Sequence, residues 1–279
     1  LGDRGIIMTI TAADINKLRQ TTGAGMLDCR KALTESNGDF EAAIDWLRKQ
    51  GQKVAAKRSD REAKEGVVIA QTTADHKSGI VLCISCETDF VSKNADFVAF
   101  AQSIADAAIA NDVKTAEELN GVTVNGAKVE ELINDKLAAI GEKIAVSKFE
   151  RVDAPYVASY IHGANRMGVL VSMTKEAAEA GKDVAMQIAA MNPLAVDETS
   201  ISQETKDREK AIAIEMIKAE GKPAEMAEKI ADGKMNKFFK DNTLMAQAFV
   251  KDNSKSVADY LKSIDADLKV TDFKRVALG

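Results

Sequence analysis

The stretch KIAVSKFERVDA, residues 143–154, decides the fold, because it recurs near the end of the chain as LKVTDFKRVAL, residues 268–278. Both segments combine β-branched and aromatic side chains with charged ones, a composition typical of exposed β-strands. A match over so few positions also arises by chance, so the neighbouring elements have to agree with the repeat. The equivalent positions are Val146 and Val270, Phe149 and Phe273, Arg151 and Arg275, and Val152 and Val276.

A predicted β-hairpin precedes each copy of the repeated strand. In the first copy, GVVIAQTT (66–73) and GIVLCISCET (79–88) are apolar runs joined by a short polar turn. The second copy, YVASYIHGANRMGVLVSM (156–173), has the same form, and Gly168 aligns with Gly79. The hairpins therefore agree with the repeat of the final strand.

Helical patterns lie between the hairpin and the final strand in both copies. Apolar residues recur at helical spacing from Phe97 to Ala108 and from Val129 to Ile140. In the second copy a helix over Asp183–Met191 ends at Asn192, because the residue before a proline disfavours the helical region. We therefore predict an α+β fold with a duplicated core, formed by a first half at 67–153 and a second half at 154–201 and 241–279.

The second half contains an insertion. Gly79 and Gly168 are 89 residues apart, whereas Val146 and Val270 are 124 residues apart, so the second copy is longer before its final strand. The extra segment, 202–240, is rich in Glu, Lys, Ala and Met, which are good helix formers. AEGKPAE interrupts it with a glycine and a proline. This pattern predicts an inserted antiparallel helical hairpin.

The start of the chain predicts a small helical head. Residues 8–52 contain three short apolar stripes at helical spacing, separated by TTGAGM and SNGD, and Asp39 is placed to cap the third helix. The following segment, 53–66, is highly charged and predicts a linker that is helical in part. Residues 1–7, which precede Met8, are taken as a leader outside the fold.

Charge and hydropathy argue against nucleic-acid and membrane partners. The net charge is −5, basic and acidic residues are interleaved, and aromatic residues make up only 5% of the chain. No apolar run approaches the ~20 residues that a membrane-spanning helix needs. We therefore expect a cytoplasmic protein that binds neither nucleic acid nor membrane directly.

The sequence contains no motif for catalysis or for a cofactor. Cys83 and Cys86 form a C-x-x-C, but residues three apart on a strand point to opposite faces, which favours buried strand cysteines over a redox or zinc site. His162 lies between two predicted strands, which favours a turn or surface residue over a general base. No glycine-rich phosphate-binding motif is present. We expect a protein-binding function, with no enzyme activity and no cofactor or metal.

The corner after the first hairpin, Thr88–Val91 (TDFV), has two interpretations. In the first, Thr88 or Asp89 caps a helix, and Phe90 and Val91 close the end of the hairpin's core. In the second, Phe90 points outward and contacts another molecule. The physical chemistry of the segment favours the first interpretation.

Four motifs resemble one family, the bacterial elongation factor Ts proteins, which are guanine-nucleotide exchange factors of elongation factor Tu. They occur in the order found in that family, and the resemblance extends over nearly all of the chain from Met8. One departure is at position 87, where the better-known members of the family often have Gln and this chain has Glu87. The motifs are LRQTTGAGMLDCRKALTESNGDFEAAIDWLRKQG (18–51), CETDFVSKNADF (86–97), YIHG with RMGVLV (160–171), and GKPAEMAEKIADGKMNKFF (221–239).

The resemblance implies a role for specific residues. It implies that the head is a ubiquitin-associated-type (UBA-like) module that docks on the GTPase, and that the helical hairpin also touches it. It further implies that TDFV dislodges Mg²⁺, with Phe90 as the wedge between helices of the GTPase and Asp89 beside it. The residues concerned are Thr88, Asp89, Phe90 and Val91 in the wedge, and Leu18, Gly23, Met26, Leu27, Ile140, Gly141 and His162 in partner binding.

The expected function is then to bind elongation factor Tu·GDP and promote GDP release, so that GTP can rebind. No covalent chemistry is involved. The alternative is a passive GTPase-binding or assembly protein that uses the same surfaces and leaves nucleotide release unchanged.

Overall fold

The computed structural model describes residues 9–279, and the predicted leader lies outside this range. The chain has the predicted α+β class. The helices are α1 (Ala12–Thr22), α2 (Met26–Glu35), α3 (Phe40–Arg58), α4 (Asp89–Ser92), α5 (Ala95–Ala110), α6 (Ala116–Asn120), α7 (Val129–Ile140), α8 (Ala178–Met191), α9 (Gln203–Ala219), α10 (Ala224–Asn242) and α11 (Val257–Ile264). The strands are β1 (Glu65–Thr72), β2 (Ser78–Cys86), β3 (Thr123–Val124), β4 (Ala127–Lys128), β5 (Ala145–Asp153), β6 (Tyr156–His162), β7 (Met167–Met173), β8 (Ala248–Phe249), β9 (Asp252–Ser256) and β10 (Val270–Ala277).

The chain divides into two compact units. The described part of the first unit consists of residues 9–69, 82–150 and 278–279, and the second consists of residues 70–81 and 151–277. The first unit thus holds the predicted head together with most of the predicted first half. The finer boundaries drawn from the sequence stay a prediction.

The first three helices share a small core. Thr11 and Asp14 cap α1 reciprocally, and the Asp39 carboxylate accepts a hydrogen bond from the Ala42 amide at the start of α3, as the sequence predicts. α3 continues to Arg58, so the beginning of the predicted linker is helical. The core residues are Leu18, Cys29, Ala32, Leu33 and Ala43.

The two three-stranded sheets repeat one arrangement. In the first sheet the strand order is β1–β2–β5, and in the second it is β6–β7–β10, so the last strand of each copy pairs with the second strand of its hairpin. β7 pairs antiparallel with both neighbours, with Phe273 opposite Val171 and Ser159 opposite Leu170. The repeated strands at 143–154 and 268–278 therefore occupy equivalent places in their sheets.

Helices of the first unit pack closely on one another. α3 runs beside α7, where a Cβ on Gly51 would lie 3.0 Å from the Asn134 carbonyl oxygen. Arg48 on α3 faces two carboxylates of α7, those of Glu131 and Asp135, at 3.6 Å each. α7 covers the residues that the sequence predicts, Val129–Ile140.

The core of the second unit lies between its sheet and α8. This helix begins at Ala178, five residues before the predicted start, and ends at Met191, followed by Asn192, whose φ of 45° is left-handed. Gly181 lets α8 approach the sheet, because a Cβ there would lie 2.7 Å from the Ala158 Cβ. α11 adds Val257 and Leu261 to this core.

α9 and α10 occupy the predicted insertion and pack on each other. Their common seam is small: Ile217, Ala227 and Ala231 are buried in it. Gly221 has a φ of +86° in the turn between them, and Pro223 directly precedes α10. At the base of the pair, the Leu194 amide donates to the Asn242 carbonyl at 2.8 Å.

Candidate functional site

The corner after β2 presents Phe90 to solvent. Its side chain is 86% exposed, whereas Cys86 at the end of β2 is fully buried and Val91 is half-buried. α4 is a single turn that starts immediately after Thr88, and α5 follows after Asn94 caps it. The interpretation that Phe90 closes the core of the hairpin is therefore wrong, because its ring lies in solvent.

Hydrogen bonds from two directions fix the backbone of this corner. The Cys86 thiol donates to the Thr88 carbonyl at 3.2 Å. One oxygen of the Glu142 carboxylate accepts from the amides of Glu87 and Thr88, each at 3.0 Å, and the other accepts from the Thr88 hydroxyl at 2.7 Å. Thr88 occupies the N-cap position of α4, but its hydroxyl is directed to Glu142 and makes no capping hydrogen bond.

Asp89 and Lys93 form an ion pair across α4. The Lys93 ammonium lies 3.1 Å from the Asp89 carboxylate, and this hydrogen bond holds the pKa of Asp89 below its ordinary value. Both side chains are exposed to solvent, so Asp89 carries its negative charge beside Phe90 at neutral pH. An apolar ring and a carboxylate thus stand next to each other at the surface.

A second exposed apolar group lies in the head, between α1 and α2. Gly23 ends α1 in the left-handed conformation, with a φ of 73°, and the chain then enters α2 with Met26 55% and Leu27 80% exposed. Leu18 differs from the other predicted contact residues, because it is fully buried in the core of the head. Its side chain stabilises the head, and in this conformation it offers no surface to a partner.

The end of α7 carries the remaining predicted contacts of the first unit. Ile140 is half-buried, and Gly141 closes the helix with a φ of +85° while its amide donates to the Leu137 carbonyl at 2.8 Å. Glu142 and Lys143 follow directly. The Lys143 ammonium donates to the carbonyls of Ser59 at 2.6 Å and Arg61 at 3.1 Å.

His162 lies in the second unit, at the end of β6. Its side chain is exposed, and its Nδ1 is 3.0 Å from the Tyr160 hydroxyl. The turn that follows contains Gly163, Ala164 and Asn165 at positive φ. The sequence-based interpretation of His162 as a surface residue next to a turn agrees with this geometry.

The cysteines and acidic residues do not form a reactive or metal-binding cluster in the described range. Cys83 and Cys86 are buried and unpaired, and burial raises the pKa of both thiols, that of Cys86 to about 12. Within residues 9–279, no group of three His, Cys, Asp or Glu side chains is arranged to hold a metal ion. The same residues contain no helix whose length and apolar character would carry it through a bilayer.

Comparison with known proteins identifies the family. The sequence profile described as Elongation factor TS matches residues 87–279. The chain belongs to the elongation factor Ts family. It is 50% identical over 273 residues to the elongation factor Ts of Christiangramia forsetii, with 97% of this chain and 99% of the relative covered. It is 43% identical over 282 residues to that of Clostridium perfringens, with 97% and 93% covered.

Elongation factor Ts proteins are translation elongation factors, and this membership agrees with the resemblance of the four motifs. Two residues of the site were missed by the sequence analysis, Glu142 and Lys143. The sequence marks only their place, directly after Gly141 at the predicted end of α7, and not their partners.

Proposed function

We propose that this chain binds elongation factor Tu carrying GDP, in the cytoplasm, and promotes GDP release so that GTP can rebind. The observation that carries the proposal is the exposed ring of Phe90 on a corner whose backbone is fixed by Cys86 and Glu142. A rigidly held aromatic side chain gains most of its burial energy when a partner supplies the pocket. Membership of the elongation factor Ts family supports elongation factor Tu as that partner.

Phe90 acts in this proposal as a wedge between helices of the GTPase, near its Mg²⁺ and phosphate site. Nanomolar nucleotide binding corresponds to about −12 kcal/mol, whereas burial of one phenylalanine contributes about 2–3 kcal/mol. The ring alone therefore cannot release the nucleotide. Displacement of Mg²⁺ supplies the rest, because the metal links phosphate oxygens to the GTPase.

A wide interface has to hold the GTPase in its altered shape. We assign to it the apolar surface of the head at Gly23, Met26 and Leu27, as a UBA-like module, together with Ile140–Gly141 and His162. The pair α9–α10 acts as the helical hairpin that also contacts the GTPase. An interface of this kind has to bury more than roughly 1,000 Å² in total, which is why several separate surfaces are assigned to it.

The exchange is reversible and requires no covalent chemistry. By linkage, a factor that weakens GDP binding is itself bound more weakly when GDP is present, by the same factor. Binding of GTP to the nucleotide-free complex then releases the chain. This cycle needs no nucleophile, general base or cofactor in the chain.

The test is catalysis of exchange by a substoichiometric amount of this chain. Elongation factor Tu is loaded with fluorescent GDP and mixed with excess GTP in a stopped-flow instrument, with and without the chain. We expect an increased release rate and several turnovers for each molecule of chain. A stable complex with an unchanged release rate would establish the passive binding protein, and no complex would exclude elongation factor Tu as the partner.

A further inference from the structure

We infer that Glu142 is a positioning residue for nucleotide exchange: its carboxylate fixes residues 87 and 88 and thereby sets the position of Phe90. The inference rests on the proposed function and deepens it, because it names the group that makes the wedge rigid. Glu142 itself is half-buried and need not touch the partner.

The carboxylate of Glu142 uses both oxygens on one short segment. Its Oε1 bridges two consecutive amides, Glu87 and Thr88, and its Oε2 accepts from the Thr88 hydroxyl. Hydrogen bonds to an ionised acceptor are stronger than those between neutral groups, and three on one carboxylate fix both the place and the direction of the backbone. An amide side chain would remove the negative charge from these hydrogen bonds, and the Thr88 hydroxyl would have to accept from its nitrogen instead of donating.

We call the Glu142 carboxylate with its three hydrogen bonds the Glu142 clamp. The Phe90 ring depends on the backbone that this clamp holds, because the ring makes few contacts of its own. With 86% of its surface exposed, the ring makes few contacts that would hold its position. α4 has four residues, and an isolated turn of helix is not stable by itself. The backbone immediately before α4, which Glu142 holds together with the Cys86 thiol, therefore sets the position of the ring.

The residues on either side of Glu142 hold it in place. Gly141 ends α7 in a left-handed conformation, and Lys143 on the other side of Glu142 holds the carbonyls of Ser59 and Arg61. Ile144 then enters the core, with 3% of its surface exposed. Glu142 is thus fixed between a helix end, two hydrogen bonds and a buried side chain.

The test is a double-mutant cycle on GDP release from elongation factor Tu, with Glu142→Gln and Glu142→Ala in the wild-type chain and in Phe90→Ala. In the wild-type background we expect release to slow about threefold with Gln and about tenfold with Ala, since one or more charge-assisted bonds are lost. In Phe90→Ala the same changes should alter the rate less than about twofold, because there is no ring left to position. Glu150→Gln, an equal charge change on exposed β5, is the control and should leave the rate unchanged.

Equal slowing in both backgrounds would show that Glu142 acts independently of Phe90 and would overturn the inference, as would no slowing in either. Hydrogen exchange of the Glu87 and Thr88 amides in the free chain tests the hydrogen bonds to Glu142 without the partner, and so independently of the proposed function. We expect protection in the wild type, weaker protection in Glu142→Gln, and its loss in Glu142→Ala. If the wild-type chain does not accelerate GDP release, the proposed function fails. Unprotected amides in the wild type would instead refute the clamp.

Discussion

An exposed phenylalanine forgoes the stabilisation that burial of its ring provides, about 2–3 kcal/mol. In the proposed function, Phe90 recovers this energy when the partner buries its ring. We expect Phe90→Ala to slow GDP release from elongation factor Tu severalfold or more, with an unfolding free energy within about 0.5 kcal/mol of the wild type. Stopped-flow release of fluorescent GDP and chemical denaturation measure the two quantities.

Two comparisons make the Phe90 experiment specific. Asp89→Ala should slow release less, because the exposed pair with Lys93 contributes little to the position of the corner. Ile264→Ala removes another exposed apolar side chain, at the end of α11, and should leave release unchanged. An unchanged rate for Phe90→Ala would reject the wedge.

For single residues, the sequence predicted burial correctly along apolar helical stripes and wrongly at Phe90. Leu18 lies in an apolar helical stripe of the head and is buried as such a stripe predicts, whereas the family resemblance implied that it binds the partner. Phe90 was misplaced because hydropathy favours burial of any aromatic residue after a strand. The backbone just before Phe90 is hydrogen-bonded to Glu142, which is 54 residues from Thr88 in sequence, and a single sequence does not reveal so distant a contact.

At the scale of elements, two helical glycines should respond oppositely to replacement by alanine. Gly181→Ala puts a Cβ 2.7 Å from the Ala158 Cβ, between α8 and β6, and should lower the unfolding free energy by about 1–3 kcal/mol. Gly233→Ala, inside α10 with open space around it, should raise it by about 0.5–1 kcal/mol. Denaturant unfolding of both variants measures the difference.

The glycine pair tests whether α8 packs as tightly as the structure indicates. Both variants make the same chemical change and gain the same helix propensity, so their difference isolates the close approach to Ala158. If Gly181→Ala were as stable as Gly233→Ala, the packing of α8 on its sheet would be looser than described.

Elements with strong periodicity were predictable, and short ones were not. The bounds predicted for α7 are those observed, and the repeat placed β5 and β10 equivalently. α11 was missed although its signals were present: Ser256 caps it and accepts from the Asp259 amide, and Val257 and Leu261 are buried. The two-residue strands β3 and β4 are stabilised by pairing with each other, and so short a segment has no period of its own.

For the whole molecule, the distribution of cysteines predicts that the stability of the two units changes differently as the pH rises above neutral. Cys29, Cys83 and Cys86 all lie in the first unit, and burial raises the pKa of each thiol, that of Cys86 to about 12 with the help of the nearby Glu142 and Glu65 carboxylates. A raised folded-state pKa contributes stability that is complete below the unfolded-state value, near 9.0, and is lost as the pH rises through the folded-state value.

We therefore expect the first unit to lose stability from about pH 9 upward, by at most about 1.4 kcal/mol per pH unit for each buried thiol. Calorimetry between pH 8 and 10 should show its unfolding transition moving to lower temperature before that of the second unit. Cys86→Ala should flatten this pH dependence. Ser85→Ala, a buried neighbour on β2 that does not titrate, should lower the transition temperature without changing the slope. A slope that Cys86→Ala leaves unaltered would mean that this thiol is accessible to ionisation in the folded chain, and that the end of β2 is less firmly closed than its burial indicates.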